Sequence, residues 1–387
     1  MNTQIYKKSG NKGFFDEQET EQKLSGIGNP LEMISKVINF EMFREKLESK
    51  LLNQNKKNNA GAKPFDIVMM FKIMILQRYY GLGDTQIEYQ ILDRLSFKKF
   101  LKLESGDKVP DEKTVWAFRE NLTNSGLVEE LFAQFKQYLE SKSLIMNEGK
   151  MVDASFTIAP RQRNTREENK TIKAGKGNEL WNDKPNKKRH KDIDARWTKK
   201  NKETFYGYKD HAKVDTKSKF IDNYKVTDAS VHDSQPLDDL LTEDDEGQDF
   251  YADSAYTGEE QEKVISKHNM KNKVNEKGYR NKPLTEKQRA SNREKSKTRA
   301  RVEHLPRLIF MLNICYAIKC SIQRGVFGFM EQSMNGLYLR SVGIVRATGI
   351  IGLINLTYNL FRYSPRRISQ LCIGVTKVKQ ISNGVNK

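Results

Sequence analysis

A chain of 387 residues with 37% hydrophobic content can bury a substantial core and carry a smaller unit beside it. Its net charge of +18 fits an anionic partner. Met1 to Gly13 is polar and Lys-bearing without an apolar centre, which excludes a secretory signal, and the most apolar late run, Gly349 to Ile354, is too short to span a bilayer.

The positive charge is concentrated. Residues 161–202 hold fifteen Lys+Arg against six Asp+Glu, and residues 271–301 hold twelve against three, so each run carries +9 and the two account for the whole excess. For either run alone, a solvated loop is the plainer reading. Cys315, Cys320 and Cys372 have no metal-type spacing and sit in or beside apolar stretches, where cysteine packs as a small hydrophobe; a reducing cytoplasm suits them.

In chain order, residues 1–29 read as a flexible lead and residues 30–145 as a helical N-terminal domain. Apolar residues recur at helical spacing over Leu31–Leu52 and Phe65–Tyr80, the second run stopped by Gly81-Leu82-Gly83. Asp84 is placed to cap a third helix running through Leu95, Pro110-Asp111 opens a fourth, and Leu127–Leu139 makes a fifth. Such a unit either binds DNA ends through a helix-turn-helix or serves packing and dimerisation, with equal weight.

From Lys150 the period changes to two. Met151, Asp153 and Ser155 alternate with Val152, Ala154 and Phe156, as on a strand, so Asp153 points away from the Val152 side. Beyond the basic insert at 161–202, strands follow over Phe205–Val214 and Lys219–Thr227, joined by the turn Asp215-Thr216-Lys217-Ser218. A short helix from Ser234 and Pro236, a strand over Gln248–Asp253, a helix over Glu259–His268, a brief strand over Lys271–Asn275 and a long helix complete the order. A hairpin continuing into right-handed crossovers gives an α/β fold for residues 146–365: an RNase H-like mixed sheet with flanking helices behind the all-helical N-terminal domain, with 366–387 a basic tail.

Three carboxylates stand in apolar or basic settings: Asp153 in Val152-Asp-Ala-Ser, Asp253 in Tyr251-Ala-Asp-Ser-Ala, and Glu303 in Arg299-Ala-Arg-Val-Glu-His. In a strongly basic chain, such acids suit hard divalent cations acting on a polyanion, and two Mg²⁺ or Mn²⁺ ions are the expected cofactor. Arg299, four residues before Glu303, shares its helix face and is placed to orient it or to grip a phosphate. Trp181 and Trp197 lie in the first basic run, where an aromatic stacks on a base or pins the loop to the core.

These stretches, with Gln86-Ile-Glu-Tyr-Gln-Ile-Leu-Asp-Arg-Leu-Ser-Phe97 and Gly207-Tyr-Lys-Asp-His211, resemble an insertion-sequence DDE transposase of the fifth insertion-sequence group over about residues 40–360. The resemblance implies Asp153, Asp253 and Glu303 as catalytic and metal-binding triad. It also implies a transposon-end phosphate contact from Arg299 and a homodimer pairing two transposon ends in a synaptic complex. By their basic or motif setting Lys209, Lys295, Lys297, Arg301, Trp181, Trp197 and His211 are further candidate DNA contacts, a packing role being the plainer reading for His211. The expected reaction is hydrolysis at an end followed by transfer of the 3′-OH into target DNA, in the bacterial cytoplasm. The family's tyrosine position is Ser296 here and its lysine position is Phe310. The rival readings are an RNase H-like nuclease or resolvase without strand transfer and an inactive DNA-binding regulator. Pro306, three residues past Glu303, predicts a kink near Val302–Leu305, and Ile309, Leu312 and Tyr316 continue an apolar stripe.

Overall fold

The computed structural model describes residue 13 and residues 15–52, 63–104, 106–200, 202–279, 283–303, 326–334 and 338–363; for residues 17, 297–303 and 331–333 it describes the backbone alone. The expected kink at Pro306, the stripe at Ile309–Tyr316, the three cysteines and the tail 366–387 lie outside the described residues.

The chain opens with α1 (Asp16–Ile27), so a helix stands where a flexible lead is expected. The single helix expected over Leu31–Leu52 is two, α2 (Pro30–Val37) and α3 (Arg44–Leu51), separated by a 3₁₀ turn over Phe40–Phe43. Asn39 is the cause: its Oδ1 accepts from Glu41 N at 3.1 Å and offers the backbone an alternative to the helical ladder. Helix α4 (Ile67–Tyr80) is apolar nearly all round and buried accordingly. It starts under Asp66, whose Oδ1 takes Met69 N at 2.8 Å, and ends at Gly81 in the left-handed region, φ 64°.

Next come α5 (Asp84–Asp93), α6 (Leu95–Leu101), α7 (Glu112–Asn124) and α8 (Leu127–Ser141). The cap of α5 is Gly83 rather than Asp84, because the Asp84 carboxylate is taken by Arg119 and by Gln77 Nε2 at 2.9 Å. The helix expected to run from Asp84 to Leu95 stops at Asp93, where Arg94 takes an extended conformation, ψ 112°, and α6 begins separately.

The sheet is built from β1 (Gly149–Ile158), β2 (Arg196–Lys200), β3 (Glu203–Asp215), β4 (Ile221–Asp228), β5 (Asp249–Tyr251) and β6 (Lys271–Asn272). Strand β3 pairs antiparallel with β1, β2 and β4, while β1, β5 and β6 run parallel, so the sheet is mixed as the sequence implies. The basic insert is more structured than a loop: α9 (Arg166–Lys173), α10 (Pro185–Arg189) and β2 lie within it, and β2 extends the sheet by pairing with the first half of β3. After β4 the chain passes through α11 (Leu237–Leu240), α12 (Glu259–Lys267) and α13 (Glu286–Glu303), with α14 (Val326–Met334) and α15 (Ile344–Arg362) following.

Helix α15 holds the halves together. By length and composition it could cross a membrane, but 72% of its apolar window is buried inside the protein, packed on α4, α7, α8 and β4. Each buried Leu or Ile there contributes about 1.5–3 kcal/mol. Gly352 allows the approach to β4, since a side-chain carbon on it would collide with Tyr224 Oη and Val128. Asn359 then acts as a strand neighbour, accepting from Ile221 N at 2.9 Å and donating to Ile221 O at 2.8 Å. One apolar cluster consequently runs from Leu31 through Met151 and Val214 to Tyr363, across the boundary expected at residue 145. A second, holding Val152, Leu237, Phe250 and Ile265, covers the other face of the sheet.

Candidate active site

Strands β1 and β5 pair in parallel at Gly149↔Asp249, Lys150↔Phe250 and Met151↔Tyr251, where pairing ends. Two residues further along each chain stand Asp153 and Asp253. Asp153 stands on β1 on the sheet face of Met151, opposite the face that buries Val152, and Asp253 stands outside the strand at the same offset from the last pair. Asp253 lies past the end of β5 rather than on it, contrary to the sequence expectation. Its Oδ1 accepts from Ala255 N at 2.8 Å and caps a 3₁₀ turn over Ser254–Tyr256, which holds the carboxylate at the strand's exit. Asp153 Oδ1 accepts from Ala154 N at 2.9 Å. Both side chains are half-buried.

The third predicted ligand, Glu303, closes α13, where the backbone alone is described. That helix is docked beside the parallel strands. Asn292 Nδ2 donates to Glu276 O at 2.9 Å, Asn292 Oδ1 accepts from Glu276 N at 2.9 Å, and Ser296 Oγ lies 3.3 Å from Asn275 Nδ2. Asn275 N in turn bonds Ala252 O at 3.2 Å, next to Asp253. Among the described residues no group of three metal-binding side chains is assembled. As half-buried hard oxygen donors, the Asp153 and Asp253 carboxylates suit a divalent cation by their chemistry.

The predicted DNA contacts divide. Trp197 is 47% exposed on β2, its ring against Tyr206 with the Arg161 guanidinium over it, and it stays available to a base. Trp181 is turned inward: it is buried, its Nε1 donates to Glu168 at 2.7 Å, and Lys187 and Lys191 lie over its ring, so it pins the insert instead of stacking on DNA. Lys209 is likewise withdrawn, paired with Asp233 at 2.7 Å, because its strand is central and a buried ammonium needs a counter-charge. Lys295 donates to Val274 O at 3.0 Å and locks α13 in place. The side chains of Lys297, Arg299 and Arg301 lie outside the described residues.

His211 is fully buried, with Nε2 2.9 Å from Thr227 Oγ1, and burial lowers its pKa to about 4. It is neutral near pH 7 and holds two strands together rather than meeting a phosphate. The sequence gives no warning of its neighbour Asp210, which stands opposite Ser155 on the face of Asp153 and is buried against Asn355 Nδ2 at 3.3 Å. Burial raises its pKa to about 7. A folded pKa above the unfolded one means this stability is full below about pH 4 and is lost as pH rises from there to about 7. Asp210→Asn keeps the shape and removes the titration. The parent's melting temperature is therefore expected to fall relative to this variant between about pH 4 and pH 7, and a constant difference across that range would refute a buried neutral acid.

A helical unit followed by a mixed sheet with flanking helices is the build of an RNase H-like DDE transposase. Family models bear on both parts: the one described as "Transposase domain (DUF772)" matches residues 18–121, and "Transposase DDE domain" matches residues 152–309. The chain carries these two transposase domains in succession. Transposases with a DDE domain bind DNA and generally use divalent metal ions. No solved structure matches the chain.

Proposed function

We propose that this protein is an insertion-sequence transposase that hydrolyses the phosphodiester at a transposon end and transfers the resulting 3′-OH into target DNA. The observation that carries the reading is the equal offset of Asp153 and Asp253 from the last pair of two parallel strands. Glu303 is the proposed third member. It follows Asn292 and Ser296 on α13 by eleven and seven positions, which is the spacing of one helix face, and those two residues dock the helix beside Asp253.

In this reading Asp153, Asp253 and Glu303 hold two Mg²⁺ or Mn²⁺ ions, which when bound supply charge stabilisation and activation of the attacking oxygen. The protein's own part is positioning. Asp253 is fixed by its capping bond and Asp153 by its strand, so neither must reorganise as charge develops. Trp197 with Arg161, and the basic residues Lys297, Arg299 and Arg301 of α13, are the proposed DNA contacts. The helical unit at 30–145 is proposed to bind ends or to pair two copies, in a homodimeric synaptic complex in the bacterial cytoplasm.

Offering the protein a pre-cut transposon end and a supercoiled plasmid separates the readings. Joined products are expected, and their yield should fall steeply with salt. Nicking without joining would support a nuclease, and neither activity in a protein that still binds the end would support an inactive regulator.

A further inference from the structure

A cavity of about 280 Å³ lies away from the carboxylates, between the end of α4, the start of α5, α7 and the segment that leads into α15. Five arginines line it: Arg78, Arg119, Arg189, Arg340 and Arg346. The chain neutralises two of them itself. Arg119 grips Asp84 with both guanidinium nitrogens, and Arg346 Nε meets Glu120 at 2.6 Å. Among the described residues, Arg78, Arg189 and Arg340 have no carboxylate within ion-pair distance.

Arg78 is the telling member. Its Nε is shut off from solvent and has no hydrogen-bond partner, and the same holds for Ser341 Oγ and Gln77 Oε1, which line the same cavity. Burial and the nearby Arg119 outweigh the pull of Asp84 and take the Arg78 guanidinium down to about 10, so it remains charged at neutral pH. Asp84 is already gripped by Arg119, which leaves the half-buried Arg78 only partly compensated, a cost that an anion in the cavity would offset. Gly83 points the same way. A side-chain carbon there would run into Arg340 Nη1, so the missing Cβ lets that guanidinium lie across the start of α5, whose helix dipole also favours negative charge.

We propose that this cavity binds a phosphate group, and that the phosphate belongs to the backbone of the DNA strand engaged at Asp153 and Asp253. Three guanidinium forks that form no ion pair among the described residues and a serine hydroxyl suit a tetrahedral oxyanion. Tyr338, on the cavity wall, bridges to Ile158, five residues along β1 from Asp153. At about 3.3 Å per residue this is about 16 Å, or roughly five phosphates along one strand of a duplex. The choice of DNA as the source rests on the transposase reading; the phosphate site does not.

Inorganic phosphate at constant ionic strength is expected to raise the melting temperature of the parent but not of Arg340→Ala or Gly83→Ala. Arg340 is exposed, so both variants should fold, and the second displaces a guanidinium without removing its charge. For binding of a duplex of about 20 bp, Arg340→Ala should also reduce the slope of log Kobs against log salt by about 1. Phosphate protection with an unchanged slope overturns the DNA source, and a nucleoside monophosphate that protects as well would then mark a small-molecule site. Equal protection of parent and variants, or none in either, overturns the site. A parent that neither cuts nor joins DNA but keeps phosphate protection sinks the transposase reading and leaves the cavity's assignment standing.

Discussion

Changing Asp153 to Asn is expected to cut transposon-end hydrolysis by about 10³-fold or more, the equivalent of about 4 kcal/mol of transition-state stabilisation. The amide keeps an oxygen for Ala154 N and fills the same half-buried space, so the fold is not expected to suffer. It removes one carboxylate of the proposed metal site without creating a cavity, so the melting temperature is expected to stay unchanged. Asp253→Asn should behave alike, because its amide oxygen can still cap Ala255 N. Cleavage of a labelled end, measured beside thermal unfolding, checks both. Near-parental activity in either variant would remove Asp153 and Asp253 from the chemistry.

The largest stability effect is expected at Asp222. This carboxylate is almost fully buried and faces Lys136 at 2.9 Å, Lys213 at 3.0 Å and Lys150 at 3.2 Å, with Asp245 on the far side of Lys213. Burial works against its charge, but the lysines, Lys213 foremost, outweigh it and hold the carboxyl well below the usual range. Asp222→Ala leaves Lys150 and Lys213 in the core against Asp245 alone, while Lys136 keeps Glu140 at 3.6 Å. The expected cost is about 3–5 kcal/mol, a fall in melting temperature on the order of 10 °C.

The sign of the pH effect follows from the same shift. The unfolded carboxyl takes up a proton near pH 4 while the folded one stays charged, so the stabilisation is present above pH 4 and lost as pH falls below it. Urea unfolding at pH 7 and pH 3 should show the gap between parent and variant narrowing by about 1 kcal/mol at the lower pH. A gap that stays the same or widens in acid would sink the account.

Hydrophobic period and turn chemistry made much of this fold legible. The switch from helical spacing before residue 141 to alternation from Met151 marks the passage from helices to sheet, and the hairpin at Asp215–Ser218 falls where its turn residues put it. Helix α15 was less visible. Gly349, Gly352, Asn355, Thr357 and Asn359 interrupt its apolar pattern, yet all are buried, because the glycines allow close approach and the asparagines bond the sheet. The length of its apolar core depends on those partners. Residue type likewise misled at Lys209, His211 and Trp181, whose chemistry suits DNA but whose strand or loop position turns them into the protein.

The sequence by itself determined the order of elements, the segregation of charge into two runs and the isolation of Asp153 and Asp253, since each follows from local spacing or composition. Only the tertiary structure decided that β1 and β5 pair in parallel two residues before these aspartates, that Asp210 is buried beside Asn355, and that arginines from four separate segments face one cavity. Register and burial arise from pairing between residues far apart in the chain, and no local pattern encodes which distant partner will arrive.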